Sequence, residues 1–442
     1  MKKLACLLSL AFAPMAYGAD LIQIYRAAQE NDPSFAAAQA TRDAGVEKKA
    51  QGIAGLLPTV GVSANTTWNE TKIQRPGAAT VSPDYNSHGY TATLTQPLFR
   101  WQNWAAYGQG KWAAIQAEAN FVQARQDLVL RTAQAYFDLL YAQENLRAVQ
   151  ASKTAITQQL AQAKKNFEVG TATITDTHEA QARFDLASAQ ELVAESELEV
   201  KRRALQAIIG KEPGALAPAR ADASIAPPQP AGMDRWVEAA ERDAVAVQVQ
   251  KAAAEIADYE VQRQRAGHLP TLDLVANAGK SKTLGATVGG MADTETRFNT
   301  IGLQLNVPIF QGGYVMSKDR EAVANRRAAT SGLEAAKRQS ALQARQAYLG
   351  VVNGVGQIKA LEAALASSRL ALDANKLGYD VGVRINIDVL NAEQQVYTTR
   401  RDLAKAKYDT LLAQLRLKAA VGSLGDEDVQ RVNALLDPAA AQ

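Results

Sequence analysis

The sequence predicts a mainly α-helical, internally duplicated chain that also carries four β-strands of membrane type. Three observations lead there. The first is repetition: Leu57-Pro58-Thr59 returns as Leu269-Pro270-Thr271, Ala135-Tyr136 as Ala347-Tyr348, Val169-Gly170 as Val381-Gly382 and Asp176 as Asp388, each 212 residues on. Gln96-Pro97-Leu98-Phe99 comes back as Val307-Pro308-Ile309-Phe310, one residue out of step. A nearly fixed offset across most of each half means two copies of one unit, and both copies should fold alike. The second is composition, with long stretches rich in Ala, Gln, Glu, Lys, Arg and Leu. The third is period-two alternation in four short runs.

Residues 1–18 read as a secretory leader. Met1-Lys2-Lys3 precedes an apolar run from Leu4 to Phe12, and Ala16-Tyr17-Gly18 makes a small-x-small cleavage site. The run is too short to cross a bilayer as a helix. The one cysteine, Cys6, falls inside the leader, so the rest of the chain is expected to hold together by packing, without disulfides. The first repeat is expected over 19–212, a Pro/Ala-rich linker over 213–230, and the second repeat with a short tail over 231–442.

Each repeat should contribute two strands. Val60, Val62, Ala64, Thr66 and Trp68 alternate with Gly61, Ser63, Asn65 and Thr67. Tyr90, Ala92 and Leu94 alternate with threonines, and the second half repeats the design with Leu272, Leu274 and Ala276, then Ile301, Leu303, Leu305 and Val307. One face of each run is therefore compatible with lipid. Strands are expected over about 58–69, 89–99, 270–278 and 296–308, with polar loops over about 70–88 and 279–295. Phe99, Trp101, Trp104, Phe310 and Tyr314 gather at the opposite end, as aromatic residues do at a membrane–water boundary.

Long helices follow each strand pair. From Trp101 to Phe167 no proline interrupts the chain, enough for a helix on the order of 100 Å. Leu146, Val149, Lys153, Ile156, Leu160, Ala163 and Phe167 are spaced alternately three and four, and Ile358, Leu361, Leu365, Ser368, Leu372, Asn375 and Tyr379 repeat that phase. This is the seam of a left-handed coiled coil, and its small and polar members suit a wide helical wall. Val169-Gly170 and Val381-Gly382 should end these helices, with return helices starting near Asp176 and Asp388. The helical hairpins thus occupy about 100–210 and 312–422.

Composition narrows the function. Basic and acidic residues nearly balance, 48 against 45, which argues against a nucleic-acid partner. Histidines at 88, 178 and 268 form no ligand motif, and no nucleophile–base pair or phosphate loop is present. An enzyme, a cofactor and a metal are not expected. Four strands cannot close a barrel, and lipid does not tolerate open strand edges, so several copies must share one barrel. A periplasmic coiled-coil scaffold or adaptor without a barrel is the competing reading.

Several of these segments resemble one family. Gly267-His268-Leu269-Pro270-Thr271, Pro308-Ile309-Phe310-Gln311-Gly312-Gly313, the run from Gly378-Tyr379-Asp380-Val381-Gly382 to Asp388-Val389-Leu390-Asn391, and Ala419-Ala420-Val421-Gly422 are similar to the TolC family of outer-membrane efflux and type I secretion ducts. The resemblance implies a homotrimer with a twelve-stranded outer-membrane barrel and an α-helical periplasmic barrel. It also implies two partners, a periplasmic adaptor (membrane fusion) protein and an inner-membrane ABC or RND transporter. By the same resemblance Tyr379 and Arg384 would lock the periplasmic tip against Thr175 and Asp176 of the other hairpin. Asp388 would ring the pore constriction, and Val169, Gly170, Val381 and Gly382 would receive the adaptor. The chain departs from the family one helical turn on, where an acid is replaced by Asn391; Glu179 holds the equivalent place in the first repeat.

Overall fold

A computed structural model describes residues 19–74, 76–77, 79–82, 84–171, 173–220, 223–284 and 293–440. The predicted leader lies outside them. The elements run α1 (Leu21–Asn31), α2 (Pro33–Ala54), β1 (Thr59–Glu70), β2 (Asp84–Phe99), α3 (Trp101–Glu168), α4 (Ile174–Ile209), α5 (Met233–Asp243) and α6 (Val245–Arg265). They continue with β3 (Thr271–Leu284), β4 (Thr294–Asn306), α7 (Tyr314–Asp380), α8 (Asn386–Ala420) and α9 (Asp426–Asn433). The chain divides into two compact units.

One unit joins Ala40–Phe121 to Gln248–Ala336 and holds the sheet. Its strands are antiparallel in the order β1-β2-β3-β4, so β1 and β4 are the edges. The register turns the alternation of each strand into rows across all four. Val60, Leu94, Ala276 and Ile301 stand side by side, as do Val62, Ala92, Ala278 and Asn299. Most of this face is open: Val60, Val62, Ile301, Leu303 and Leu305 are each at least 65% exposed. On the other face Thr93 donates to Asn277 at 2.8 Å, and Asn277 donates to Thr300 at 3.4 Å. An exposed apolar face backed by a polar one is how a strand sits between lipid and a watery lumen. At the far end Arg100 grips the buried Asp273 through two nitrogens, tying the end of β2 to β3. The ladder slips between Pro97 and Phe99, where proline has no N–H to donate.

β2 begins five residues earlier than the alternation predicts, at Asp84, and β3 runs on to Leu284, so the loops are shorter than expected. Asp84–His88 and Lys280–Thr283 are polar on both faces, and only their cross-strand pairing makes them strand. Helices α1, α2, α5, α6 and α9 lie outside the predicted hairpins.

The other unit joins the chain up to Gln39 to Val122–Val247 and the segment from Lys337 onward. Its core gathers Leu21, Ile24 and Tyr25 of α1, Leu128, Tyr136, Phe137 and Leu139 of α3, Leu205 and Ile209 of α4, and Leu411 and Leu415 of α8. Tyr136 is fully buried and donates to the Ala217 carbonyl at 2.7 Å, which pins the Pro/Ala-rich linker to α3. Burial pushes the Tyr136 phenol well above its ordinary value. The chain enters this unit at Ala19, whose N–H reaches the Ala215 carbonyl at 2.7 Å. The tail packs too: Val429, Val432 and Leu436 are buried in the same core.

Asp32 caps α2 from inside this unit. It accepts from the Phe35 amide at 2.7 Å and from Arg131 at 3.2 Å, and is 3% exposed. Burial alone would raise its carboxyl, but Arg131 and the Phe35 and Ser34 amides outweigh it and hold the group below the usual carboxylate range. A depressed carboxyl stabilises fully above its unfolded value, about 3.9, and that stability is lost as pH falls through the folded one. Asp32→Asn should therefore lower the melting temperature at neutral pH, with a cost of about 1 kcal/mol, and flatten the acid limb below about pH 4. Circular dichroism melts from pH 2 to 7 check this; parallel acid limbs for both proteins would refute it.

Candidate functional site

The tips of the two helical hairpins carry the residues singled out by the sequence. Both long helices end alike. The Thr171 amide reaches the Asn166 carbonyl at 2.8 Å and the Gly170 amide reaches Phe167 at 3.0 Å, while Val383 reaches Gly378 at 2.8 Å and Gly382 reaches Tyr379 at 3.0 Å. Gly170 and Gly382 have φ of 78° and 76°, which an L side chain adopts at a cost, so glycine makes this stop cheap. A Cβ built on either glycine would meet nothing within 4 Å. Val169 and Val381 are exposed, as are Val383 and Ile385 beside them. The tips thus offer bare backbone flanked by open apolar side chains.

The return helices start differently. In α4 Thr173 is the N-cap, and Asp176 closes a capping box with it: the Thr173 amide and hydroxyl reach the Asp176 carboxylate at 2.9 and 2.8 Å. In α8 the N-cap is Ile385, which has no side chain for capping. Asp388, the repeat partner of Asp176, is left without that role and pairs instead with Arg384 at 3.6 Å. Both members of this pair are partly exposed, so it contributes under about 1 kcal/mol.

Within one chain the predicted lock residues do not meet as a set. Tyr379 Oη accepts from Asn166 at 3.3 Å, Arg384 turns to Asp388, and Asp176 is held by Thr173. Thr175 and Glu179 are exposed on α4. Asn391 accepts from Arg183 at 3.1 Å, which links α8 to α4 across the hairpins. Of the three candidates for the constriction, Asp388 and Asn391 thus already face a guanidinium, while Glu179 stands exposed on α4.

Behind the tip the hairpins are tied by pairs that the sequence patterns do not flag. Lys376 reaches Glu393 at 3.0 Å between α7 and α8, and Lys153 reaches Glu191 at 2.6 Å between α3 and α4. The predicted seam is real in the first hairpin: Ile156, Leu160 and Ala163 are buried against Ala180, Phe184 and Ala187. In the second, Leu361, Leu365, Ser368, Leu372 and Asn375 are only half-buried, as a shallow seam implies. The Thr-x-x-Asp box at Thr173 was readable in advance; the lysine–glutamate pairs had no local signal. Among the described residues no group of His, Cys, Asp and Glu is arranged to hold a metal ion, and no helix is long and apolar enough to cross a membrane.

A family model described as outer membrane efflux protein matches this chain twice, over 24–211 and 236–423, so the two matches repeat the offset seen in the sequence. The chain belongs to the outer membrane efflux protein family. It is 33% identical to the outer membrane protein TolC of Vibrio cholerae over 416 residues, covering 94% of this chain and 93% of that protein. It is 34% identical to the alkaline protease secretion protein AprF of Pseudomonas aeruginosa over 426 residues, covering 95% and 88%. In fold it is similar to the outer membrane protein VceC of Vibrio cholerae (TM-score 0.77, 21% identity, 91% of this chain and 96% of that one). The Campylobacter jejuni outer membrane channel CmeC is similar too (TM-score 0.78, 18% identity, 94% and 90%). This family member is an outer-membrane exit duct with a periplasmic extension, and the scaffold without a barrel is not favoured.

The unequal N-caps make a test. Ile385→Thr should complete a capping box with Asp388, draw its carboxylate from Arg384 and slow amide exchange in the first turn of α8 about fivefold, while Thr173→Ala speeds the first turn of α4 by a similar factor. Hydrogen exchange at 386–389 and 174–177 reads both; unchanged rates in both variants would refute the assignment.

Proposed function

We propose that three copies of this chain close one barrel in the outer membrane and form the exit duct of a tripartite efflux pump or type I secretion system. The observation that supports this best is the sheet itself, with apolar rows in register on an exposed face and two open edges, β1 and β4. Three copies of four strands give twelve, within the range of closed membrane barrels. The duct is a passive conduit. Energy comes from an inner-membrane ABC or RND transporter, and a periplasmic adaptor bridges the two.

At the tip, Val169-Gly170 and Val381-Gly382 are the docking points for that adaptor. Bare glycine backbone admits a partner helix closely, and the exposed valines give it apolar contact. The gate is made by Tyr379 and Arg384 acting with Thr175 and Asp176 of a neighbouring copy, and Asp388 lines the constriction. Asp388 is partly offset by Arg384, and Asn391 is held by Arg183. The constriction is therefore only weakly acidic, with a modest preference for cations. Because AprF is named as a secretion protein for alkaline protease, a secreted protein is one cargo that such a duct admits.

Single-channel conductance in a planar bilayer tests the gate. Arg384→Ser with Tyr379→Phe should raise conductance several-fold over wild type, and Asp388→Ala should change block by trivalent cations only slightly. Equal conductance of wild type and double variant would remove the lock, and complete loss of block in Asp388→Ala would show a strongly acidic ring.

A further inference from the structure

The membrane-facing side of the sheet does not stay apolar to its end. Toward the β1–β2 and β3–β4 turns the register places Ala64, Tyr90, Lys280 and Arg297 in one row, then Thr66, His88, Lys282 and Glu295 in the next. Strand alternation puts these side chains on the same face as Val62, Leu94, Leu274, Ile301 and Leu303. Three cations and one carboxylate thus stand immediately beyond the apolar rows. Glu295 is shared, lying 2.9 Å from Lys280 and 3.1 Å from Arg297. Sharing fixes both cations in place, yet one carboxylate cannot neutralise three positive charges. Arg297 meets Glu295 through both Nε, at 3.2 Å, and Nη2, yet its side chain remains 78% exposed and keeps its other N–H donors available. Among the described residues Glu70 and Asp84 also lie on this face, opposite each other at the far end of the neighbouring hairpin, beyond the row of Trp68, Asn86 and Leu284, and a further carboxylate, Asp293, directly precedes β4.

Cations on a lipid-facing surface are costly at mid-membrane, roughly 2–4 kcal/mol each, and nearly free at the interface. Their position marks the headgroup level. An interface of water alone would not require three cations within two rows, and the phosphate-bearing headgroups of a membrane supply what these residues lack. A phosphate offers several acceptor oxygens to a guanidinium fork and two ammonium groups, with the Tyr90 phenol in the same row. We infer that Lys280, Lys282 and Arg297 form a binding site for the phosphate group of an anionic membrane lipid, with its acyl chains lying along the Leu94, Ile301 and Leu303 rows. Glu295 acts as the positioning residue, aligning Lys280 and Arg297. The site rests on the reading of this sheet as outer-membrane barrel, and it adds a ligand class which that reading does not name. It anchors the duct at a fixed depth on the side of the turns.

Native mass spectrometry of the full-length protein in detergent tests it, with diphosphorylated lipid A as probe and phosphatidylcholine and inorganic pyrophosphate as controls. Wild type should retain lipid A at least about tenfold better than either control, and the preference should fall as salt rises. Lys280→Gln/Lys282→Gln/Arg297→Gln should lose about tenfold of that retention, and Lys282→Gln alone, which keeps both Glu295 pairs, about threefold. Equal retention by the variants overturns the site. Pyrophosphate binding as tightly as lipid A also overturns it, as a free-anion site only. Channel conductance separates the two readings: a wild type that opens no channel defeats the barrel reading, whereas normal channels with unaltered lipid retention defeat only the lipid site.

Discussion

Backbone hydrogen bonding in lipid is the constraint on which the rest of this structure depends. A sheet in hydrocarbon has no water to satisfy the outward N–H and C=O groups of its edge strands, and each unpaired group costs several kcal/mol. β1 and β4 are such edges. Exposed Val60, Val62, Ile301 and Leu303 place the sheet in lipid, and lipid then forbids the sheet to stand alone. Oligomerisation is thus a condition for folding in the membrane, because the strands of one chain cannot satisfy themselves. The aromatic residues at one end of the strands and the charged rows at the other mark the two depths between which this rule applies.

Duplication supplied two copies of one tip, and a few replaced side chains separate their chemistry, Thr173 against Ile385 and Ala172 against Arg384 among them. Thr173 consumes Asp176 in a capping box; Ile385, at the same place in the second repeat, leaves Asp388 to Arg384. The glycine stop was kept in both, since positive φ after a long helix has few alternatives. Structural roles that any copy needs were thus retained, while the polar groups beside them diverged. Asn391, held by Arg183 and standing where the first repeat has Glu179, extends that divergence one helical turn further.

Much of the fold was legible because it rests on local patterns. The offset of 212 residues, the alternation around Val62 and Leu274 and the Val-Gly turns all predicted what stands there. Strand ends were misjudged where residues are polar on both faces, as in Lys280–Thr283, since a strand beyond the lipid has no reason to alternate. Helices α1 and α9 were missed because they are short and find their burial only by docking onto α3, α4 and α8. The tip residues were singled out by resemblance, but their partners within the chain were not. Asn166 beside Tyr379, and Glu393 beside Lys376, meet across sequence distances that no periodicity encodes.

Closure of the sheet by neighbouring copies is tested most directly by hydrogen exchange along β1 and β4 in the detergent-solubilised assembly. If each edge pairs with the next copy, every amide of Val60–Trp68 and of Gly302–Leu305 should exchange as slowly as those of β2 and β3. Alternating fast exchange along either edge, in protein that is folded and conducting, would contradict a shared barrel.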